Sequence, residues 1–196
     1  MTVKMPGKRL FDIFFSLIGL ICFSWLILIS WVFASISTRS NGFFFQKRVG
    51  QNGKIFNVIK VKTMRDVSVP ATTITQDSDP RITKTGKFFR KTKIDELPQL
   101  FNVLIGDMSF VGPRPDVPGY ADKLIGKDRI ILAIKPGITG PASLAYKNEE
   151  EILAHVDDPK KYNDEVIYPN KIQLNIKYIE NWSLLSDIKY IIQTIF

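Results

Sequence analysis

A chain of 196 residues with one cysteine, one histidine and no internal repeat is not a disulfide scaffold, a His/Cys zinc module or a solenoid. It can form one domain with a real core, or a small domain plus an appendage, while two full domains would be cramped. The 27 Lys and Arg residues against 19 Asp and Glu give a formal charge of +8, which points to an anionic partner: nucleic acid, phosphorylated substrate or membrane surface. The excess is local, since Arg39 to Lys93 carries thirteen basic residues against three acidic ones and Ile94 to Phe196 carries eleven against fifteen.

In chain order, the first predicted element is Ile13 to Ser37, a run without a charged residue and long enough to cross a bilayer as a helix. It is too long for the apolar region of a signal peptide and ends in no small-x-small cleavage site. Lys4, Lys8 and Arg9 precede it and Arg39, Lys47 and Arg48 follow it, so the positive-inside rule draws both ends to the cytoplasm. A re-entrant helical hairpin satisfies that rule, with Gly19 or Ser24 as the bend, although no proline is present; a straight span remains the alternative. Asp12 stands three residues after Arg9, within reach of a helical ion pair. Cys22 lies inside the apolar run with no partner for a disulfide.

Phe43 to Met64 reads as two strands joined near Asn52-Gly53, a dipeptide suited to the positive φ angles of a tight turn. Lys60 and Lys62 would project from one face of the second strand, toward an anion or toward water. Arg65 to Pro80 is aperiodic and reads as a loop.

The stretch TKIDELPQLFNVLIGDMSFVGPRP, Thr92 to Pro115, sets two adjacent carboxylates, Asp95 and Glu96, directly after the basic cluster Lys87, Arg90, Lys91 and Lys93. Thr92 is placed to cap a helix from about Lys93 to Gly106, with Asp95 in the capping-box position, so the pair has a purely structural reading as a cap. Ionised carboxylates at such a site also suit Mg²⁺ binding or attack on phosphorus. Arg114, clamped between Pro113 and Pro115, presents a rigid fork suited to phosphate. Lys135 to Pro141, KPGITGP, reads as a glycine-bearing turn that can bind a phosphate or a base.

The C-terminal third is more acidic and helical in spacing, with Ile172, Ile176 and Ile179 on one stripe and Leu184, Leu185, Ile188, Ile191, Ile192 and Ile195 on another. The last helix either packs on the core or lies in a membrane interface with Trp182 and Tyr190 at headgroup level. His155 reads as a surface residue and Glu149 to Glu151 as a solvated helix face.

Taken in order, KRLFDIFFSLIGLICFS, FFFQKRVG, FNVIKVKTM, DPRITKTGKFFRKTKIDELPQLFNVLIGDMSFVGPRP and KPGITGPA resemble the bacterial sugar transferases, the small monotopic phosphoglycosyl transferases, over essentially Lys8 to Phe196. The resemblance implies an α+β fold in two parts: a re-entrant membrane helix over residues 1–38, then a cytoplasmic catalytic domain over residues 39–196. That domain would be a small α/β unit with a β-hairpin and amphipathic interface helices, on the cytoplasmic face of the bacterial inner membrane. It implies transfer of a sugar 1-phosphate from a UDP-sugar to polyprenyl (undecaprenyl) phosphate with release of UMP, the first membrane step of glycoconjugate assembly. Under it Asp95 is the nucleophile and Glu96 its partner, both at Mg²⁺. Arg90, Arg114 and Lys62 bind substrate phosphates, Pro136, Gly137 and Thr139 form the substrate or nucleotide loop, and Ser24 marks the membrane bend. Family members often carry Ser-Pro at that bend, where this chain has Ser24-Trp25.

Two other classes fit parts of the sequence. A membrane-tethered protein that binds anionic lipid would use the basic face and leave Asp95 and Glu96 as a cap. Nucleic-acid binding matches the charge but not the apolar segment, and no recognised nucleic-acid motif is present.

Overall fold

The computed structural model describes residues 3–66 and 79–196. The predicted loop after Arg65 therefore falls mostly outside the described residues. The chain forms two compact units that interleave along the sequence: residues 1–13, 47–56 and 103–196 make unit 1, and residues 14–46 and 57–102 make unit 2.

Helix α1 spans Lys8–Thr38 and runs without interruption through Gly19 and Ser24. The Ser24 hydroxyl donates to the Ile21 carbonyl at 3.2 Å, one turn back, and no reversal of the chain follows. The separate return arm of a hairpin is absent from the described residues. Without proline, every backbone amide in this run keeps its helical acceptor, so nothing in the sequence forces a break.

The surface of α1 is arranged opposite to that of a water-soluble helix. Ser16, Ser30, Ala34 and Thr38 are buried, whereas Phe14, Leu17, Ile21, Trp25, Leu28, Phe33 and Ile36 are exposed. The buried hydroxyls of Ser30 and Thr38 satisfy themselves on the carbonyls of Ile27 and Ala34, at 2.9 and 2.8 Å. Small residues on the covered face let a neighbour approach closely; a Cβ added to Gly19 would sit 3.1 Å from Cδ1 of Leu100. By length and composition α1 can cross a membrane.

Strands β1 (Phe43–Val49) and β2 (Ile55–Val61) form the expected hairpin. Asn52 and Gly53 take φ of 59° and 80°, the positive values that the dipeptide was read to supply. In unit 2 the apolar core is Ala34, Val61 and Phe89, with Ile94 against them.

Helix α2 (Lys84–Thr92) is seated on the strand extension that leaves β2. Thr83 caps it, its hydroxyl accepting from the Gly86 amide at 2.9 Å, while the Thr83 amide donates to the Thr63 carbonyl at 3.0 Å. Gly86 lies so close to that carbonyl that any Cβ would overlap it. A single 3₁₀ turn, Ile94–Glu96, then leads to α3 (Gln99–Ile105).

Unit 1 contains β3 (Ser109–Val111) and β4 (Gly137–Thr139), paired in parallel with Ser109 opposite Gly137 and Val111 opposite Thr139. Three short helices follow, α4 (Pro141–Ala145), α5 (Glu149–Ala154) and α6 (Pro159–Tyr162), and then α7 (Tyr168–Glu180) and α8 (Leu184–Ile195). The core joins Val49 and Val111 to Ile131, Leu132 and Ile134 and to Ile172, Tyr178 and Ile179 of α7. The isoleucine stripe read from the sequence is thus the inner face of α7.

Helix α8 packs one face on the core and turns an apolar face outward. Asp187 is buried and Tyr190 packs edge-on against Tyr178, while Leu185, Ile188, Ile192 and Ile195 face outward. Trp182 is not at an outer surface, because its indole donates to Asp187 at 3.0 Å. His155 is exposed, as expected.

Replacing Gly86 by Ala should lower stability by about 1–3 kcal/mol, because the added methyl meets backbone that cannot step aside. Thermal unfolding in detergent checks this; a midpoint equal to or above wild type would show that α2 is not clamped on Thr63.

Candidate active site

In unit 2 the chain leaves α2 through Lys93, which adopts a left-handed conformation with φ of 57°. A non-glycine residue in this region carries a conformational cost that the surrounding structure must offset. The turn that follows places Asp95 inward, only 8% exposed, and Glu96 beside it.

The capping role read from the sequence is not what these residues do. Thr92 belongs to the last turn of α2, where its hydroxyl donates to the Phe88 carbonyl at 2.8 Å, and no side chain caps the 3₁₀ turn. The helix expected from Lys93 to Gly106 is divided, and only its second part, α3, is α-helical. The left-handed Lys93 interrupts the periodicity, and no glycine announced it.

Asp95 Oδ1 is buried and has no hydrogen-bond partner among the described residues. Burial pushes its carboxyl above the ordinary range and the neighbouring Glu96 charge pushes the same way, while Lys60, Lys93 and Arg90 oppose them. Glu96 accepts an ion pair from Lys60 Nζ at 2.9 Å. The Arg90 guanidinium is held by Thr63 Oγ1 at 3.1 Å and by Met64 Sδ at 3.3 Å, neither of which is charged. No carboxylate lies within ion-pair distance of Arg90 among the described residues, so its charge remains available to an anion.

Lys62 is turned to Asp66, at 2.6 Å, and to the Ser40 hydroxyl, at 2.8 Å. Of the two strand lysines, Lys60 is the one that reaches the carboxylate pair. Sequence reading singled out both but selected Lys62 for phosphate, and spacing alone could not tell them apart.

Unit 1 holds the other expected site residues. Arg114 is exposed between the buried Pro113 and Pro115. The backbone around it is fixed at three points: Pro113 O accepts from Gly137 N at 2.9 Å, Pro115 O from Arg48 at 3.0 Å and Asp116 O from Val49 N at 2.9 Å. Asp116 also accepts from the Tyr168 hydroxyl at 3.1 Å, and burial raises its pKa. Asp116 and Tyr168 escaped the sequence reading; the only signal was the acidic residue next to the Pro-Arg-Pro clamp.

Pro136, Gly137 and Thr139 are not the open turn expected of KPGITGP. Gly137–Thr139 is β4, and its backbone is engaged: Pro136 O accepts from Ser109 N at 2.8 Å and Thr139 O from Gly112 N at 2.9 Å. A Cβ on Gly137 would collide with the Gly112 backbone, so this glycine serves close strand approach rather than a phosphate cradle. Thr139 Oγ1 lies 2.6 Å from that of Thr194 and is likewise engaged.

Chemically, unit 2 offers one carboxylate withdrawn from water, one unpaired oxygen on it, a second carboxylate balanced by a lysine and an arginine without a counter-ion. The two carboxylates also suit a divalent cation. No group of three or more His, Cys, Asp or Glu side chains capable of holding a metal occurs among the described residues. Two carboxylates nevertheless match a Mg²⁺ ion that keeps several waters and takes its remaining ligands from phosphate.

The sequence profile described as bacterial sugar transferase matches residues 3–196, and the chain belongs to that family. It is 38% identical to the galactosyl transferase CpsE of Streptococcus agalactiae over 96% of this chain and 41% of that protein. It is 36% identical to the uncharacterized sugar transferase EpsL of Bacillus subtilis, over 96% of this chain and 85% of the relative. A UDP-glucose:undecaprenyl-phosphate glucose-1-phosphate transferase of Klebsiella pneumoniae is 36% identical over 99% of this chain and 40% of its own length. The chain thus spans about two fifths of CpsE and of the Klebsiella protein.

A raised carboxyl pKa in the folded state means that folding retains a proton the unfolded chain releases. Stability from this group therefore falls as pH rises from the ordinary Asp value through the raised one. In chelator at pH 7, Asp95→Asn should melt about 2–4 °C above wild type, the shift that ~1 kcal/mol produces in a chain of this size. The gap should close as pH falls below the ordinary carboxylate range. Equal melting at both pH values would mean that Asp95 is not held at a cost.

Proposed function

We propose that this chain transfers a sugar 1-phosphate from a UDP-sugar to a polyprenyl phosphate, releasing UMP and leaving a polyprenyl diphosphate sugar. The observation that carries this reading is the buried, unpartnered Oδ1 of Asp95 beside a lysine-balanced Glu96. The name of the Klebsiella relative supports the same substrate classes.

Asp95 forms a bond from a carboxylate oxygen to the β-phosphorus of the donor. The bond from that phosphorus to the bridging oxygen breaks, and UMP departs with the electron pair. An oxygen of the lipid phosphate then attacks the aspartyl-phosphosugar, and Asp95 leaves as a carboxylate. Desolvation makes the carboxylate more basic, and therefore more nucleophilic, than one in water, while Lys60, Lys93 and Arg90 favour its ionised form. Arg90 and the exposed Arg114 suit phosphate oxygens by their fork of donors. Asp95 and Glu96 are the residues that would hold Mg²⁺, which would supply positive charge to the phosphate oxygens.

The second reading, a non-catalytic lipid-binding protein with Asp95 and Glu96 as a cap, is less well supported, because no side chain caps the turn among the described residues.

The membrane reading rests on the exposed apolar side chains of α1 and on basic residues at both of its ends. Within unit 2, α1 is covered along one face at Ser16, Ser30, Ala34 and Thr38. We read it as a monotopic anchor lying in one leaflet with both ends cytoplasmic, which needs no sharp reversal at Ser24.

Two experiments test these statements. Purified protein in detergent with Mg²⁺ and a panel of UDP-sugars plus polyprenyl phosphate should release UMP, and Asp95→Asn should lose about a thousandfold or more of that rate. Labelled donor without acceptor should leave a phosphosugar on Asp95, so label on another residue would overturn the assignment. For the anchor, single cysteines at Lys4 and Arg39 in a Cys22→Ser background should both react with an impermeant thiol reagent only from the cytoplasmic side. Labelling from opposite sides would make α1 a span.

A further inference from the structure

The first turn of α1 and the segment entering β4 enclose a cavity of about 140 Å³, lined in part by Val3, Met5, Arg9, Asp12, Ser109 and Lys135. All of these residues belong to unit 1, and the cavity plays no part in the transfer chemistry above.

Its charges are unevenly matched. Lys8, also in the wall, is paired with Asp187. Asp12 Oδ1 is engaged by the Ser109 hydroxyl at 3.0 Å and by the Phe110 amide at 3.1 Å. Arg9 donates to the carbonyls of Val103 and Leu104 in the last turn of α3, at 2.6 and 2.7 Å, which holds the guanidinium in place without neutralising it.

Lys135 is half-buried and, among the described residues, has no hydrogen bond to another side chain. Among the described residues, no carboxylate lies within ion-pair distance of either Arg9 or Lys135. The two cations share one niche made by Gly106: a Cβ there would lie 3.0 Å from Lys135 Nζ and 3.2 Å from an Arg9 terminal nitrogen. Burial and the Arg9 charge hold the Lys135 ammonium below its ordinary pKa, and the carboxylates of Asp12 and Asp107 only partly offset this. Two neighbouring cations withdrawn from water repel each other, and an anion with several oxygens relieves both at once.

We propose that Arg9 and Lys135 form a phosphate-binding site at the foot of α1, with a tetrahedral phosphate group accepting from both side chains. The apolar run of α1 begins at Ile13, four residues beyond Arg9, so a lipid headgroup can supply that phosphate. Free inorganic phosphate has the same chemistry.

Competitive acetylation of the intact wild-type protein reads Lys135 directly. In maltoside micelles with chloride as the only added anion, each lysine is labelled with trace acetic anhydride and quantified by mass spectrometry, with the exposed Lys189 as reference. Adding phosphatidylglycerol should slow Lys135 about fivefold relative to Lys189, the factor for a ligand at about four times its dissociation constant. Equal slowing by millimolar inorganic phosphate assigns the site to free phosphate, while slowing by the lipid alone assigns it to a headgroup. Val3→Glu, which sets a carboxylate in the cavity wall, should abolish the protection. Unchanged Lys135 reactivity with both ligands, equal slowing of Lys189, or full protection in Val3→Glu would each overturn the site.

Discussion

Unit 2 keeps a carboxylate out of water without giving it a full set of partners. Asp95 is buried, one of its oxygens has no donor among the described residues, and the adjacent Glu96 adds a second negative charge. An arrangement of this kind opposes folding, and the local structure is organised to bear it. Lys93 accepts a left-handed backbone so that the turn can point Asp95 inward, and Lys60 neutralises Glu96 from β2. Arg90 is immobilised by two uncharged atoms, so its charge acts on Asp95 without being consumed by an ion pair. The anchor for all of this is the contact of Gly86 and Thr83 with the Thr63 carbonyl, which fixes α2 and hence the point where the chain turns.

Unit 1 answers a different requirement with a similar economy. Arg114 is exposed, while the backbone that carries it is held still. Pro113 and Pro115 limit the local conformations, and three hydrogen bonds to the carbonyls of Pro113, Pro115 and Asp116 limit the rest. The two glycines of KPGITG serve the first of these, since a Cβ at either would collide with the Gly112 backbone that β4 approaches to bond the Pro113 carbonyl.

Much of this was legible in the sequence because it depends on local rules. Asn52-Gly53 specified its own turn, the isoleucine spacing marked the inner face of α7, and the adjacent acidic pair after a basic cluster marked the candidate site. What escaped was set by tertiary structure. The left-handed Lys93 has no glycine signature, so one helix was read where the chain makes a helix, a turn and a second helix. The choice between Lys60 and Lys62 depends on which lysine meets Glu96. The KPGITG segment looked like a ligand loop because glycines that admit a phosphate and glycines that admit a neighbouring strand are the same residues. The bend at Ser24 rested on charge at both ends of α1, and charge specifies where ends lie, not how the chain travels between them.

That distinction gives α1 its physical interest. In water a helix buries its apolar face and exposes its polar one, whereas α1 buries serine, threonine and alanine and exposes phenylalanine, leucine, isoleucine and tryptophan. Such a surface suits an apolar medium better than water. The buried hydroxyls of Ser30 and Thr38 bond to carbonyls of their own helix, so these positions can pack closely without leaving a hydroxyl unsatisfied. A helix whose inner face fits protein and whose outer faces fit hydrocarbon has no reason to reverse direction. The uninterrupted helix from Lys8 to Thr38 follows from this, and the sequence carries no proline that would break it.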